Sequence, residues 1–174
     1  ELINAENVDA VFIVSPGFAH VDSLLQAIEA GKRIFCEKPL CTTAEDCLKV
    51  VKAEEAAGKH LIQLGFMRRY DKGYQQIKEA LATGEYGEPL ILHCTHRNPE
   101  VGTNYNTPMA VHDTAIHEID VLHWLVDDEY ESAQVVIPRV TKYSHSELKD
   151  PQIMMLRTKK CVCIDVEVFF NCKF

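Results

Sequence analysis

Two short segments of this sequence bring together residues that could take part in the oxidation of an alcohol. The first is Glu37-Lys38-Pro39, which directly follows the apolar run Arg33-Ile-Phe-Cys36. A lysine ammonium at the end of a strand can hydrogen-bond a hydroxyl oxygen and stabilise the negative charge that develops there as hydride leaves carbon. The proline fixes the backbone and so can aim the lysine. Taken alone, such a segment more often means a solvated surface lysine.

The second segment contains Asp113 and His117, four residues apart in a region where apolar residues recur at helical spacing. On an α-helix this separation places both side chains on one face. A carboxylate that holds one ring nitrogen of a histidine leaves the other nitrogen to accept a proton, as the oxidation of a hydroxyl group requires. A charge pair on a helix surface is the commoner meaning of this spacing.

A metal site is a weaker interpretation of the same region. His117-Glu118 resembles the opening of the zinc-protease motif H-E-x-x-H, but Val121 stands where the second histidine is required. His112, His117 and His123 are five and six residues apart, which scatters them around a helix. The sequence therefore predicts no metal ligands.

The elements that position the first segment alternate between strand and helix. Apolar runs that end in turn residues predict strands over residues 8–14, 33–36 and 61–64. Apolar residues at helical spacing predict helices over residues 20–31 and 43–58, each closed by a glycine. Strict alternation with short connections predicts an α/β domain over residues 1–66, built on part of a doubly wound parallel sheet.

The second segment belongs to a region of different organisation. Helices are predicted over residues 74–81 and 112–126, and strands over residues 90–94, 134–140, 153–158 and 162–170. A polar loop covers residues 98–108, and Lys159-Lys160 forms the turn of a hairpin. This pattern predicts part of an α+β domain over residues 67–174 with a mixed or antiparallel sheet.

Composition excludes several classes of partner. The formal net charge is −8, from 26 acidic against 18 basic side chains, and no stretch concentrates lysine and arginine. Nucleic acid and anionic membrane surfaces both reward clustered positive charge, so neither is an expected partner. Seven cysteines, an odd number spread through predicted strands and helices, favour reduced, mostly buried thiols and a cytoplasmic protein over a disulfide framework. Cys161-Val-Cys163 lacks the C-x-x-C spacing of a metal site.

One feature of nucleotide-binding sheets is missing. None of the eight glycines forms the G-x-G-x-x-G loop that follows the first strand of such a sheet, and no acidic ribose ligand follows at the usual distance. The chain also begins a few residues before a fully formed strand. We therefore expect it to cover part of a longer enzyme.

Four segments carry a resemblance to a known family. They are Phe35-Cys-Glu-Lys-Pro-Leu40, Gln63-Leu-Gly-Phe-Met-Arg-Arg-Tyr-Asp71, His96-Arg-Asn-Pro99 and His117-Glu-Ile-Asp-Val-Leu-His-Trp-Leu125. In these segments the chain resembles the glucose-fructose oxidoreductase, inositol dehydrogenase and MocA (Gfo/Idh/MocA) family, and within it the inositol 2-dehydrogenase members. The resemblance covers nearly the whole chain, and it implies a Rossmann-type domain followed by a substrate domain.

The resemblance also implies an activity and its residues. The activity is NAD-dependent oxidation of an inositol, myo-inositol first, to an inosose, in a homotetramer. The implied catalytic residues are Lys38, Asp113 and His117. The implied cofactor-binding residues are Ser15, Pro16, His20, Glu37, Lys38 and Arg68, of which Arg68 lines the polyol site or its cofactor edge. The implied substrate-binding residues are Lys38, Asn98, Asp113 and His117, with His96 and Asp120 as weaker candidates. His112 departs from the family pattern, because it puts an imidazole where an apolar residue is expected.

Two other functions remain open at this point. A sister enzyme of the same family would oxidise another cyclic polyol or sugar with the same three residues. A sensor on the same fold would bind sugar or NAD without turnover, although binding alone does not need a positioned proton acceptor.

Overall fold

The chain divides into two units, Glu1–Phe66 and Met67–Phe174, of which the computed structural model describes residues 2–173. The first unit contains a three-stranded parallel sheet in the order β1-β2-β3. Its strands are β1 (Ala10–Ile13), β2 (Arg33–Cys36) and β3 (Ile62–Leu64). Its helices are α1 (His20–Glu29), which follows a 3₁₀ turn at Gly17–Ala19, and α2 (Ala44–Ala57). The predicted parallel α/β arrangement is confirmed.

Local sequence signals explain where these helices begin and end. Thr43 caps α2, since its side-chain oxygen accepts a hydrogen bond from the Asp46 backbone N–H. Gly58 ends the same helix at φ 65°, a left-handed conformation that favours glycine. Both signals were predicted from the sequence, and both are confirmed.

The core of the first unit lies between one face of the sheet and both helices. Alternate residues of β1 and β2 point into it, together with Leu24 and Ile28 of α1 and Val50 of α2. Phe12, on the opposite face, is exposed. The helices of the described part therefore cover one face, as one half of a doubly wound sheet requires.

The second unit contains a four-stranded mixed sheet in the order β4-β7-β6-β5. Its strands are β4 (Ile91–Arg97), β5 (Tyr130–Val136), β6 (Gln152–Thr158) and β7 (Cys163–Phe169). Its helical segments are a 3₁₀ turn at Met67–Tyr70, α3 (Lys72–Thr83), a π-helical segment at Ala110–Ala115 and α4 (Ile116–Val126). Strand β4 pairs with β7 in parallel, whereas the β5–β6 and β6–β7 pairs are antiparallel.

The core of the second unit forms where α4 packs on the middle of this sheet. Val121, Leu122 and Leu125 of α4 belong to the same buried cluster as alternate residues of β6 and β7. Asp150, fully buried before β6, accepts backbone hydrogen bonds from Phe170 and Asn171 at 2.9 Å each. This carboxylate provides the hydrogen-bond acceptors for the backbone N–H groups that follow β7.

The structure corrects two sequence predictions in this unit. Strand β5 runs from Tyr130 to Val136, four residues earlier than predicted, because six of its seven residues are exposed and the apolar pattern is weak. The thiols are less buried than predicted. Cys36 and Cys41 are buried, three other cysteines are partly buried, and Cys161 and Cys163 are exposed.

No helix within residues 2–173 is long and apolar enough to cross a lipid bilayer. The same range contains no group of three or more His, Cys, Asp or Glu side chains placed to hold a metal ion.

Candidate active site

The first group of candidate residues follows strands β1 and β2 at their carboxyl ends. Ile13 and Cys36, the last residues of the two strands, are register partners, so the loops that follow them are neighbours. The Glu37 backbone N–H donates to the Ile13 carbonyl at 2.9 Å, and the Lys38 N–H donates to Glu37 Oε2 at 3.2 Å. Glu37 and Lys38 are half-buried, whereas Ser15 is exposed. Ligands of parallel sheets bind at this edge.

The buried side chain of His20 connects these two loops. Its Nδ1 lies 2.9 Å from the Pro39 carbonyl oxygen, and its Nε2 lies 2.7 Å from the Ser15 carbonyl oxygen. The residue is fully buried. Through these contacts His20 supports the loops that carry Ser15 and Lys38. The contact between His20 and a cofactor stays a prediction.

Glycine is needed where the loops approach each other. A Cβ on Gly17 would lie 3.2 Å from Pro39 Cγ, so a larger residue would push the two loops apart. A Cβ on Gly65 would lie 3.0 Å from the Phe35 ring and 3.3 Å from the Cys36 carbonyl oxygen, beside the end of β2. Close packing of three consecutive strand ends therefore fixes the backbone around Lys38.

The second group of candidates begins where a π-helical segment passes into α4. Asp113 lies in this segment and His117 in the first turn of α4. The prediction of one continuous α-helix through both residues is wrong, because the turn that contains Asp113 is widened to i→i+5 hydrogen bonding. Single π turns inside helices are frequent at functional sites. His112 shares the π segment, and its buried Nδ1 has no hydrogen-bond partner among the described residues.

Tyr105 packs against this junction. Its hydroxyl donates to the Met109 carbonyl at 2.8 Å and shares a short hydrogen bond with the Thr114 hydroxyl. Burial raises the pKa of Tyr105 to about 12, and the negative charge of Asp113 adds to the rise, although the Thr114 hydrogen bond opposes it. The phenol is thus neutral at physiological pH, and it acts as a support for the π segment.

Arg68 and His96 meet at one carboxylate that the sequence analysis did not select. Glu118 Oε1 lies 2.6 Å from Arg68 Nη1 and 3.2 Å from His96 Nδ1. Glu118 is only 4% exposed. A signal for it does exist in the sequence, since positions 118, 121, 122 and 125 share one face at helical spacing, and Glu118 is the polar member of that apolar face.

Asp120, a weaker substrate candidate, forms an ion pair with Arg69. Its two carboxylate oxygens accept from Arg69, at 2.9 Å from Nε and 2.5 Å from Nη2, and its side chain is 8% exposed. This bidentate ion pair ties the 3₁₀ turn to α4. The substrate role of Asp120 stays a prediction.

Asn98 lies directly after β4. Its backbone N–H donates to the Phe169 carbonyl and its carbonyl accepts from the Cys172 N–H, both at 3.0 Å. These bonds extend the β4–β7 pairing by one residue and fix the Asn98 backbone. The side chain is half-buried, so its amide is held at the end of the strand, where it remains a candidate for binding hydroxyl groups.

A cavity of about 430 Å³ opens between α3, α4 and β4 of the second unit. Arg68 and Glu118 line it, together with apolar residues such as Leu92 and Leu122. The described candidates thus form two groups. Ser15, Pro16, Glu37 and Lys38 gather in the first unit, and Arg68, His96, Asn98, Asp113 and His117 lie in the second.

Comparisons with known proteins match both units. Residues 1–66 match the model of the oxidoreductase family with an NAD-binding Rossmann fold, and residues 74–174 match the GFO/IDH/MocA C-terminal domain. An inositol 2-dehydrogenase/D-chiro-inositol 3-dehydrogenase of Halalkalibacterium halodurans is 58% identical over 99% of this chain and 50% of its own length. An inositol 2-dehydrogenase of Pseudomonas syringae is 57% identical over 99% of this chain and 52% of its own.

A solved structure is similar over the same extent. Myo-inositol dehydrogenase from Lactobacillus casei, crystallised with NAD(H) and myo-inositol, has a TM-score of 0.94 and 46% identity over 99% of this chain and 51% of that one. The chain spans about half the length of the curated relatives it matches. Two matched domains and relatives above 50% identity lead to one assignment: the chain belongs to the Gfo/Idh/MocA family of oxidoreductases.

Proposed function

We propose that the full-length protein oxidises an inositol, with myo-inositol as the first choice, to an inosose with NAD as the oxidant. The observation that carries the proposal is the similarity along almost the whole chain to a protein solved with NAD(H) and myo-inositol. The presence of Lys38, Asp113 and His117 in the sequence supports it, because the oxidation of a hydroxyl needs a proton acceptor and a group that stabilises the oxygen.

The three residues divide the chemistry between them. His117 accepts the proton of the reacting hydroxyl. Asp113, four residues earlier, orients the imidazole and stabilises its protonated form. Lys38 supplies a hydrogen-bond donor for a hydroxyl oxygen, which stabilises the negative charge that develops there. Removal of the proton makes the carbon a better hydride donor.

NAD supplies the hydride acceptor when it is bound. The edge formed by Ser15, Pro16, Glu37 and Lys38 fits part of such a dinucleotide, because it lies at the carboxyl ends of parallel strands and Gly17 keeps the loops free of bulk. His20 holds the backbone of that edge through the Ser15 and Pro39 carbonyls.

The polar side chains of the second unit suit an uncharged substrate that is rich in hydroxyl groups. Arg68 offers a hydrogen-bond donor, His96 a ring nitrogen, and Asn98 both a donor and an acceptor. Each is anchored by protein contacts through its side chain or backbone. Hydroxyl orientation distinguishes the inositol isomers, so fixed donors and acceptors are the feature that selectivity requires.

We further propose a homotetramer in the cytoplasm, as the family resemblance implies. All seven cysteines are free thiols, which suits a reducing compartment. Light scattering coupled to size-exclusion chromatography measures the oligomeric state, and a mass of two or fewer subunits would contradict the tetramer.

The test of the activity is a turnover assay with the full-length protein. We expect NADH to form with myo-inositol at a higher kcat/KM than with scyllo-inositol, D-chiro-inositol or glucose. Turnover with glucose alone would replace the proposal with a sister enzyme of the family. Binding of inositol or NAD in calorimetry without any turnover would replace it with a sensor.

A further inference from the structure

Two adjacent arginines pair with two carboxylates of α4, and the two pairs differ in geometry. Arg69 and Asp120 form a bidentate pair that uses both carboxylate oxygens. Arg68 instead approaches a single oxygen of Glu118, through Nη1 at 2.6 Å. The second pair therefore lacks the parallel fork that Arg–carboxylate pairs commonly adopt.

The oxygen that Arg68 uses is shared with a second candidate site residue. His96 Nδ1 lies 3.2 Å from the same Glu118 Oε1. Glu118 Oε2 is buried and has no hydrogen-bond partner among the described residues. An unsatisfied buried acceptor costs stability, so this arrangement is not the one that stability alone would favour. Its effect is to bind two side chains from two different elements to one atom.

The side chains of Glu118, Arg68 and His96 differ in how far they are buried. The Glu118 side chain is 5% exposed, whereas those of Arg68 and His96 are 19% and 24% exposed. The carboxylate is thus more deeply buried than the two basic side chains. Arg68 belongs to the 3₁₀ turn and His96 to β4. Glu118 is thus the least exposed of the three side chains.

The contact also decides which nitrogen of His96 carries the hydrogen. A carboxylate oxygen accepts hydrogen bonds and donates none, so the Nδ1 of His96 carries the hydrogen in this contact. In the neutral ring, Nε2 is then the acceptor. A fixed acceptor beside a fixed guanidinium donor can read the direction of two hydroxyl groups on a ring.

We propose that Glu118 is a positioning residue that holds the Arg68 guanidinium and the His96 imidazole in the orientation that binds a polyol. This inference rests on the proposed function, since that function gives Arg68 and His96 their ligand. Glu118 acts through its two partners and takes no part in proton or hydride transfer.

The test compares Glu118→Gln with the wild type in the full-length protein with NAD. Glutamine keeps the shape of the side chain and removes its charge. We expect the KM for myo-inositol to rise at least about ten-fold, the size of one lost hydrogen bond to a charged group, with kcat changed by less than about three-fold. An unchanged KM, or a fall in kcat alone, overturns the proposal.

A double-mutant cycle separates positioning from general destabilisation. If Glu118 acts through Arg68, Glu118→Gln should add less than about two-fold to the KM of an Arg68→Met variant. Additive effects overturn the coupling. Glu167→Gln is the control, because it breaks another Arg–Glu ion pair of the second unit, between Arg97 of β4 and Glu167 of β7, at residues outside the candidate site. It should leave the KM within about two-fold.

A structural measurement keeps this proposal distinct from the proposed activity. Crystal structures of the wild type and Glu118→Gln should differ in the side-chain positions of Arg68 and His96. If the wild type turns over no inositol, the proposed function fails, and these structures alone decide the role of Glu118. Unmoved Arg68 and His96 side chains in the variant overturn it.

Discussion

His117 has the most specific chemical role in the proposed reaction. As the proton acceptor, its imidazole contributes to the transition state and little to the binding of NAD. We expect His117→Ala to lower kcat about 100- to 10,000-fold and to change the Kd for NAD less than about two-fold. Steady-state kinetics and a fluorescence titration with NADH measure the two quantities.

A control on the same helix is His123→Ala. His123 lies 5.8 Å from the Tyr130 ring and 3.4 Å from Glu129 at the end of α4, so its loss should leave kcat within about two-fold. Equal losses of kcat in the two variants, or equal losses of kcat and NAD affinity in His117→Ala, would contradict the assignment of the proton acceptor.

His20 allows a second prediction, about stability. His20→Ala removes a fully buried ring whose two nitrogens face the Ser15 and Pro39 carbonyls. The variant loses packing and the hydrogen bond that the ring donates to a backbone carbonyl, which should lower the free energy of unfolding by about 2–4 kcal/mol. Urea denaturation followed by circular dichroism measures the change. The exposed His60→Ala should stay within about 0.5 kcal/mol, and a similar loss there would refute the argument.

Single residues could be selected as site candidates from the sequence where a motif surrounds them. Lys38 follows a strand and precedes a proline, and Asp113 and His117 stand at helical spacing, so their chemistry could be inferred from neighbouring positions. The part played by Glu118 could not, because it depends on Arg68 and His96, which are 50 and 22 positions away in the sequence. The contacts of His20 and Asp120 could not be predicted from the sequence for the same reason. Their hydrogen-bond partners follow from the tertiary structure.

At the scale of an element, the β6–β7 hairpin contains a residue in an unfavourable conformation. Cys161 has φ 67°, a left-handed value that favours glycine. Replacing Cys161 with glycine should relieve this cost and raise the free energy of unfolding by up to about 1 kcal/mol. Thermal denaturation of the two proteins measures the gain. Lys159→Gly, in the same turn, should be neutral or destabilising, and a gain there would point to another cause.

Elements were predictable where one apolar face is buried. Strands β2 and β3, helix α2 and the β6–β7 hairpin appear close to their predicted positions, because apolar residues alternate or recur and glycine or polar residues close each run. Strand β5 was misplaced because exposure of both faces erases the alternation. The π segment was missed because its hydrogen bonding leaves no compositional trace in the six residues that form it.

At the scale of the whole molecule, buried acidic groups predict a loss of stability at alkaline pH. Burial raises the pKa of Cys36 from 9.0 to about 11 and that of Cys41 to about 12, with nearby Glu37 and Cys47 adding to the rise. Burial also raises the pKa of Tyr130 from 10.0 to about 12. These groups keep their protons in the folded state at a pH where the unfolded chain has lost them.

The sign of the effect follows from this difference. Below about pH 9 the thiols are protonated in both states and their contribution to stability is complete. As the pH rises from 9 towards 11, the unfolded state releases protons first, so the free energy of unfolding should fall. Urea midpoints measured across this range test the prediction. A Cys36→Ala, Cys41→Ala double variant should lose less stability over the same range, and an equal loss would assign the effect to other groups.

The π segment limits how the chain can change in length. A π turn holds one residue more than an α turn, so deleting one residue from Ala110–Ala115 could restore regular helix without breaking it. Deleting Thr114 or Ala115 would place Asp113 three residues before His117 instead of four, which moves its side chain by about 100° around the helix axis, to the other side of His117. The direction from the carboxylate to the imidazole would then change, although the helix itself survived. The placement of Asp113 relative to His117 therefore depends on the number of residues in this turn as well as on their types.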